Sequence, residues 1–137
     1  MVAALNERRS PFTLVVTGEA THWQDVLELI VGPQWLRTQQ VKTNKELLEV
    51  VREGQADAAV VDDSQELGLE ALAILRMIRR LDAILPVVLV TEHSERRWLE
   101  DALRLAAFSV VSRPLELEEL LRQIQRMMVR LNQMLRE

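Results

Sequence analysis

Short unbroken apolar runs alternate along this chain with segments whose apolar positions recur at a helical period. Residues 13–16 are β-branched or apolar with no polar alternation, the pattern of a strand covered on both faces. Residues 58–61 and 86–90 repeat that pattern, Val110 and Val111 form a shorter run before Arg113 and Pro114, and the more polar residues 36–42 suit a sheet edge. Between these runs the period changes. Trp23, Val26, Leu27 and Ile30 fall at i, i+3, i+4 and i+7. Thr43 and Glu46 form a capping box ahead of Leu47, Leu48 and Val51, with Gly54 closing that helix. Ala71, Ile74, Leu75 and Ile78 mark a third helix. A fourth carries Trp98, Leu99, Ala102 and Leu103 behind a Ser94 cap, and Leu117 opens the last.

Strand and helix thus alternate five times, and crossovers of this length make a parallel sheet. The expected fold class is α/β, a flavodoxin-like (βα)5 three-layer sandwich with a five-stranded parallel sheet. A polar edge strand near the start favours the order 2-1-3-4-5. The folded unit is expected to span residues 12–137, including a long C-terminal helix, after a flexible N-terminal extension of residues 1–11.

Composition narrows the function. A chain of 137 residues, 48% hydrophobic and 28% charged, is one ordinary globular domain. No window approaches the roughly 18 uninterrupted apolar residues of a membrane span, and residues 1–10 lack the apolar centre of a secretory signal, so a cytoplasmic location is expected. Without cysteine there is no disulfide, thiol catalysis or cysteine-ligated zinc. The net charge of -4 argues against a nucleic-acid partner. Lysine occurs only at Lys42 and Lys45.

In open parallel sheets the functional crevice lies at the carboxyl ends of the strands. The residues leaving the apolar runs there are Thr17, Gly18 and Glu19, then Asp62 and Asp63, then Thr91 and Glu92, and finally Arg113. An acid, a hydroxyl and a cation converging suit phosphoryl handling, with the carboxylate as nucleophile. A merely polar rim, where strands emerge into water, accounts for the same residues equally well.

Asp57-Ala-Ala-Val-Val-Asp62, Pro86-Val-Val-Leu-Val-Thr91 and Arg113-Pro114-Leu115 stand in the order and spacing found in receiver domains of two-component response regulators, which the chain resembles over nearly its whole length. Gly68-Leu69-Glu70 and the run from Leu117 to Leu121 resemble the openings of that family's third and fifth helices. The resemblance implies a signalling module, not an enzyme, with at most phospho-acceptor chemistry at Asp62, assisted by Thr91 and Arg113. A histidine kinase or an output protein is the implied partner.

Departures from the family pattern bear on that chemistry. The two acids that hold Mg²⁺ after the first strand are replaced by Thr17 and Gly18, leaving Asp62, with Glu19 and Asp63 as the remaining oxygen donors, so magnesium binding is expected to be weak and no cofactor is assigned. Arg113 replaces the family's lysine, with a planar fork on a different stem. Glu92 stands where a small residue is usual, Val110 where an aromatic switch residue is usual, and the loop after Asp62 is about two residues short and lacks a proline.

The last helix carries a wide apolar stripe: Leu117, Leu121, Ile124, Met128, Leu131 and Leu135 alternate steps of four and three, with Leu120, Met127 and Met134 beside them. At about 1.5 Å per residue it runs nearly 30 Å. Its end, from Met128, is expected to overhang the domain and support a homodimer, docking on its own domain being the competing outcome. The expected partner surface is Arg97, Trp98 and Arg104 on the fourth helix with Leu121, Met128, Leu131 and Leu135 on the fifth.

The leading expectation is a pseudo-receiver that signals through protein contacts. An atypical receiver phosphorylated on Asp62 is the alternative. A flavin or nucleotide binder fits worst, because Thr17-Gly18-Glu19-Ala20-Thr21 puts an acid inside the phosphate cradle such a fold needs.

Overall fold

A computed structural model describes residues 11–63 and 70–136, with side chains described as far as Gln133. The expected extension thus lies outside the described residues except for Pro11, as do Gly68, Leu69 and the loop that follows Asp63. Five strands, β1 (Phe12–Val16), β2 (Leu36–Gln40), β3 (Ala58–Asp62), β4 (Val87–Thr91) and β5 (Ser109–Ser112), pair in parallel in the order β2-β1-β3-β4-β5. The register sets Leu14 beside Ala58, Val60 beside Val88 and Val90 beside Val111. Five α-helices connect or follow them: α1 (Gln24–Val31), α2 (Asn44–Arg52), α3 (Ala71–Leu81), α4 (Arg96–Arg104) and α5 (Leu117–Arg136). The expected fold class and strand order are both observed.

Every residue of β3 and β4 is buried, as their unbroken apolar runs require of central strands. Alternate strand residues point to opposite faces and build two cores. Leu14, Val16, Val60, Val88 and Val90 meet Leu27 and Val31 of α1 and Leu120, Ile124 and Met127 of α5. Val15, Ala59, Val61, Val87 and Leu89 meet Leu47 and Val51 of α2, Ile74, Leu75 and Ile78 of α3, and Trp98 and Ala102 of α4. Capping agrees at α2, where the Thr43 hydroxyl accepts the Glu46 N–H at 3.1 Å.

Four local expectations are corrected. A 3-10 turn, Gly18–Trp23, precedes α1, and its tighter winding shifts the helical phase so that Leu27 and Val31 face inward while Ile30 is 53% exposed. Leu103 is likewise exposed, because the buried face of α4 is Trp98 and Ala102. Glu95, not Ser94, occupies the cap position of α4, with no side-chain bond. Most consequentially, α5 does not leave the domain at Met128. Met127 and Met128 are buried in the same cluster as Phe12 and Leu36, and Asn132 is buried a turn further on, because α5 lies back along its sheet face as far as the strands' beginnings.

The expected partner surface shrinks accordingly. Met128 and Trp98 belong to the domain's own cores and present little to a partner. Leu121 and Leu131 are half-buried against the first core, Arg97 and Arg104 are exposed, and the side chain of Leu135 lies outside the described residues. Trp23 and Trp35, both partly buried, also pack against that core. Among the described residues no helix is long and apolar enough to cross a membrane.

Candidate functional site

The carboxyl ends of β1, β3, β4 and β5 bring together Thr17, Asp62, Thr91 and Arg113 with their neighbours, as the strand assignments predict. Thr17 is fully buried and ties β1 to β3: its hydroxyl donates to the Val60 carbonyl at 3.1 Å and accepts the Asp62 N–H at 3.1 Å. A residue read from sequence as a missing metal ligand is therefore a clasp between strands.

Asp62 ends β3 with only 1% of its surface exposed. Its Oδ2 accepts the Glu19 N–H at 2.9 Å, while Oδ1 is buried without a hydrogen-bond partner. Gly18 makes this closure feasible. Its φ of +55° is a left-handed conformation, and a Cβ there would stand 1.8 Å from Asp62 Oδ2 and 2.0 Å from Oδ1. Backbone thus lies directly on the carboxylate. Burial pushes the Asp62 carboxyl above the ordinary carboxylate value, against the smaller opposing pull of the Glu19 N–H and the Arg113 charge.

Glu19 turns its own carboxylate away from Asp62 and across the crevice. Oε1 accepts Arg113 Nε at 2.8 Å and Oε2 accepts the Leu115 N–H at 2.5 Å, bonds that hold the Glu19 carboxyl below its ordinary value. Arg113 in turn is held protonated more firmly by the same pairing. This bridge from the end of β1 to the segment after β5 spans 94 residues of sequence and was not legible there. The only available signal was an acid and a cation leaving two strands on the same side of the sheet.

Asp63 is half-buried and fully engaged: Oδ1 accepts the Ala71 N–H at 2.8 Å, holding the first turn of α3, and Oδ2 accepts the Thr91 hydroxyl. Thr91 also accepts the His93 N–H at 3.0 Å. Thr91 therefore serves Asp63 in this arrangement and not Asp62. Glu92, which the sequence places close enough to crowd the acceptor, is exposed. Beyond it, His93 stacks on Trp98 with ring centroids 5.0 Å apart, and the Trp98 indole donates to Glu70 at 2.5 Å.

The donors fit poorly the magnesium that the family resemblance implies. A hard octahedral cation needs several oxygen ligands directed at one point. Gly18 has no side chain, Thr17 Oγ is engaged with two backbone groups, and the carboxylates of Glu19 and Asp63 are bound elsewhere. Among the described carboxylates at the crevice, Oδ1 of Asp62 is left without a hydrogen-bond partner, and no three acidic or histidine side chains of the described residues converge as a metal would require.

Comparison with known proteins agrees with this fold. The response regulator receiver domain family matches residues 14–125. No curated protein matches the chain. Among solved structures, a CheY-like response regulator receiver domain protein from Methanospirillum hungatei is 17% identical, with 87% of this chain and 94% of that one covered at a TM-score of 0.70. The non-phosphorylated HemR receiver domain from Leptospira biflexa is 19% identical, with 87% and 94% covered at a TM-score of 0.69. The chemotaxis protein CheY4 of Vibrio cholerae is 12% identical, with 86% and 99% covered at 0.69. At these identities the structures establish the shared fold, and the family match extends over most of the chain. The chain belongs to the response regulator receiver domains of two-component signalling systems.

Proposed function

We propose that this receiver domain signals from the cytoplasm through protein contacts, without an aspartyl phosphate at Asp62. The carrying observation is the closed pocket: Asp62 is 1% exposed beneath Gly18, and the Arg113 guanidinium is already paired with Glu19. A phosphoryl donor would have to displace the turn at Gly18 and Glu19 and break that ion pair before reaching Oδ1. Among the described residues no cation-binding set stands ready to neutralise the incoming charge.

Contacts with a kinase, an output protein or a second copy of the chain are assigned to α4, β5 and the first half of α5. β5 is an open edge of the sheet, and Val110, Val111, Ser112, Pro114, Glu116 and Glu119 line a groove of about 400 Å³ beside it. Exposed Arg97 and Arg104 of α4 and half-buried Leu121 of α5 are assigned to this face, Leu131 lying further along the helix, and a charge introduced at Leu121 is expected to disturb self-association.

Phosphorylation of Asp62 is the competing reading, favoured by one observation, the unpartnered Oδ1 at the end of β3. Incubation with acetyl phosphate and magnesium separates the two. Mass spectrometry is expected to show no adduct and light scattering no change of assembly. An adduct that disappears in Asp62→Asn overturns the proposal.

A further inference from the structure

At the opposite end of the sheet, where strands begin, Phe108 stands just before β5 with its N–H on the Val87 carbonyl. Two arginines of α5 cover its ring: the guanidinium carbon of Arg126 lies 5.3 Å from the ring centroid and that of Arg130 lies 5.6 Å away. With Gln125, Val129 and Gln133 they line a shallow groove of about 570 Å³. We propose that this groove is a docking site for an acidic segment of a partner protein, with an apolar side chain seated on Val129 and carboxylates held by Arg126 and Arg130.

What marks the groove is a pair of cations held over one aromatic ring. Three other arginines on exposed helix faces are matched to acids a turn away, Arg96 with Glu100, Arg104 with Asp101 and Arg122 with Glu119. Among the described residues, Arg126 and Arg130 have no carboxylate within 4.0 Å, although they sit together. A third guanidinium, Arg79, has its proton affinity lowered by burial and, less, by the charge of Arg130, while the Asp82 carboxylate acts against both more strongly than Arg130 does. The donors of Arg79 are occupied, however, by the carbonyls of Leu105, Ala106 and Asp82. The nearby Asp82 carboxylate is bound to the Ile84 and Leu85 N–H groups at 3.0 Å each. Arg126 and Arg130 thus share one ring with no acid of their own, and an incoming carboxylate relieves their mutual repulsion.

Groove chemistry chooses among anions. Guanidinium forks match carboxylate geometry bidentately, and those of Arg126 and Arg130 project from one helix face a single turn apart. Val129 is 38% exposed between them, and an apolar floor of this kind suits a peptide with a hydrophobic residue among its acids. A polynucleotide needs a row of phosphate-binding cations, and the groove itself offers two, on a chain whose net charge is -4. The inference does not rest on the chemistry of Asp62, since the groove lies at the other end of the strands.

Fluorescence anisotropy with the full chain tests it. The probe is a labelled dodecapeptide repeating Glu-Leu-Asp-Glu, beside a twin carrying the corresponding amides and a thymidine dodecamer. The acidic peptide is expected to bind at least roughly tenfold more tightly than its amide twin, and to weaken as salt is added. Arg126→Gln with Arg130→Gln should lose roughly that tenfold, the paired lysine substitutions should retain most of the binding, and Arg52→Gln on α2 should leave it unchanged. Equal binding of peptide and twin, undiminished binding by the glutamine pair, or preference for the thymidine dodecamer would overturn the assignment.

Discussion

Two carboxylates at the crevice respond to pH in opposite senses. Asp62 is raised above its ordinary 3.8 by burial, so the folded chain holds its proton more tightly than the unfolded chain does. The associated stability is complete below 3.8 and lost as pH rises through the higher folded value. Asp62→Asn removes that loss and is expected to stabilise the protein by about 1 kcal/mol near pH 7, the gain shrinking as pH falls toward 3.8, as read by urea denaturation across that range. Glu19 is lowered from 4.5 by the Leu115 N–H and Arg113, so its contribution is present above 4.5 and lost as pH falls through the lower folded value. Glu19→Gln should therefore cost about 1–3 kcal/mol near neutral pH and little in acid, by the same measurement. Gly18 tolerates no side chain, since both its φ of +55° and the adjoining carboxylate oppose one. Gly18→Ala is expected to lose about 2–4 kcal/mol in thermal or urea unfolding, unless Asp62 is also shortened, in which case the two substitutions will not add.

Helices show where sequence period suffices and where it fails. α3 was legible to the residue, because Ala71, Ile74, Leu75 and Ile78 keep one phase and all are buried. α1 was legible as a helix but not in phase. Its chain enters through a 3-10 turn, and a small change of winding over Gly18–Trp23 exchanges Ile30 for Val31 at the core. For α5 the apolar stripe was plain and its covering was not, because a stripe says that something covers it without naming the cover. The domain's own sheet covers Met127 and Met128. Met128→Ala is accordingly expected to cost about 2–5 kcal/mol in unfolding free energy while leaving the oligomeric state unchanged. Leu121→Arg, at a half-buried position of α5, should under the proposed self-contact change light-scattering mass more than it changes melting. At α2, Thr43→Ala removes the bond to the Glu46 N–H and should cost about 1 kcal/mol in the same melts.

At the scale of the whole molecule, one sheet separates two apolar cores, and the strands between them supply side chains to both. Cooperative unfolding follows, because neither core can open without exposing the sheet it shares. Trp23 and Trp35 pack against one core and Trp98 lies in the other. Fluorescence of Trp98→Phe, which retains only the first pair, should therefore give the same denaturant midpoint as its far-UV circular dichroism, and a separation of the two would show the cores unfolding independently. Strand identity, strand order and the set of residues at the crevice were all written in the sequence, since buried parallel strands demand unbroken apolar runs and each run points its next residue into the crevice. What those residues do to one another was decided only by the tertiary structure. Thr17 clasps β3, Glu19 reaches Arg113, and Asp63 holds both Thr91 and the start of α3. Pairing depends on side-chain direction and on backbone turns a few ångströms across, and linear spacing carries neither. Residue type announces charge and reach, whereas partnership is settled when distant ends of strands are brought side by side.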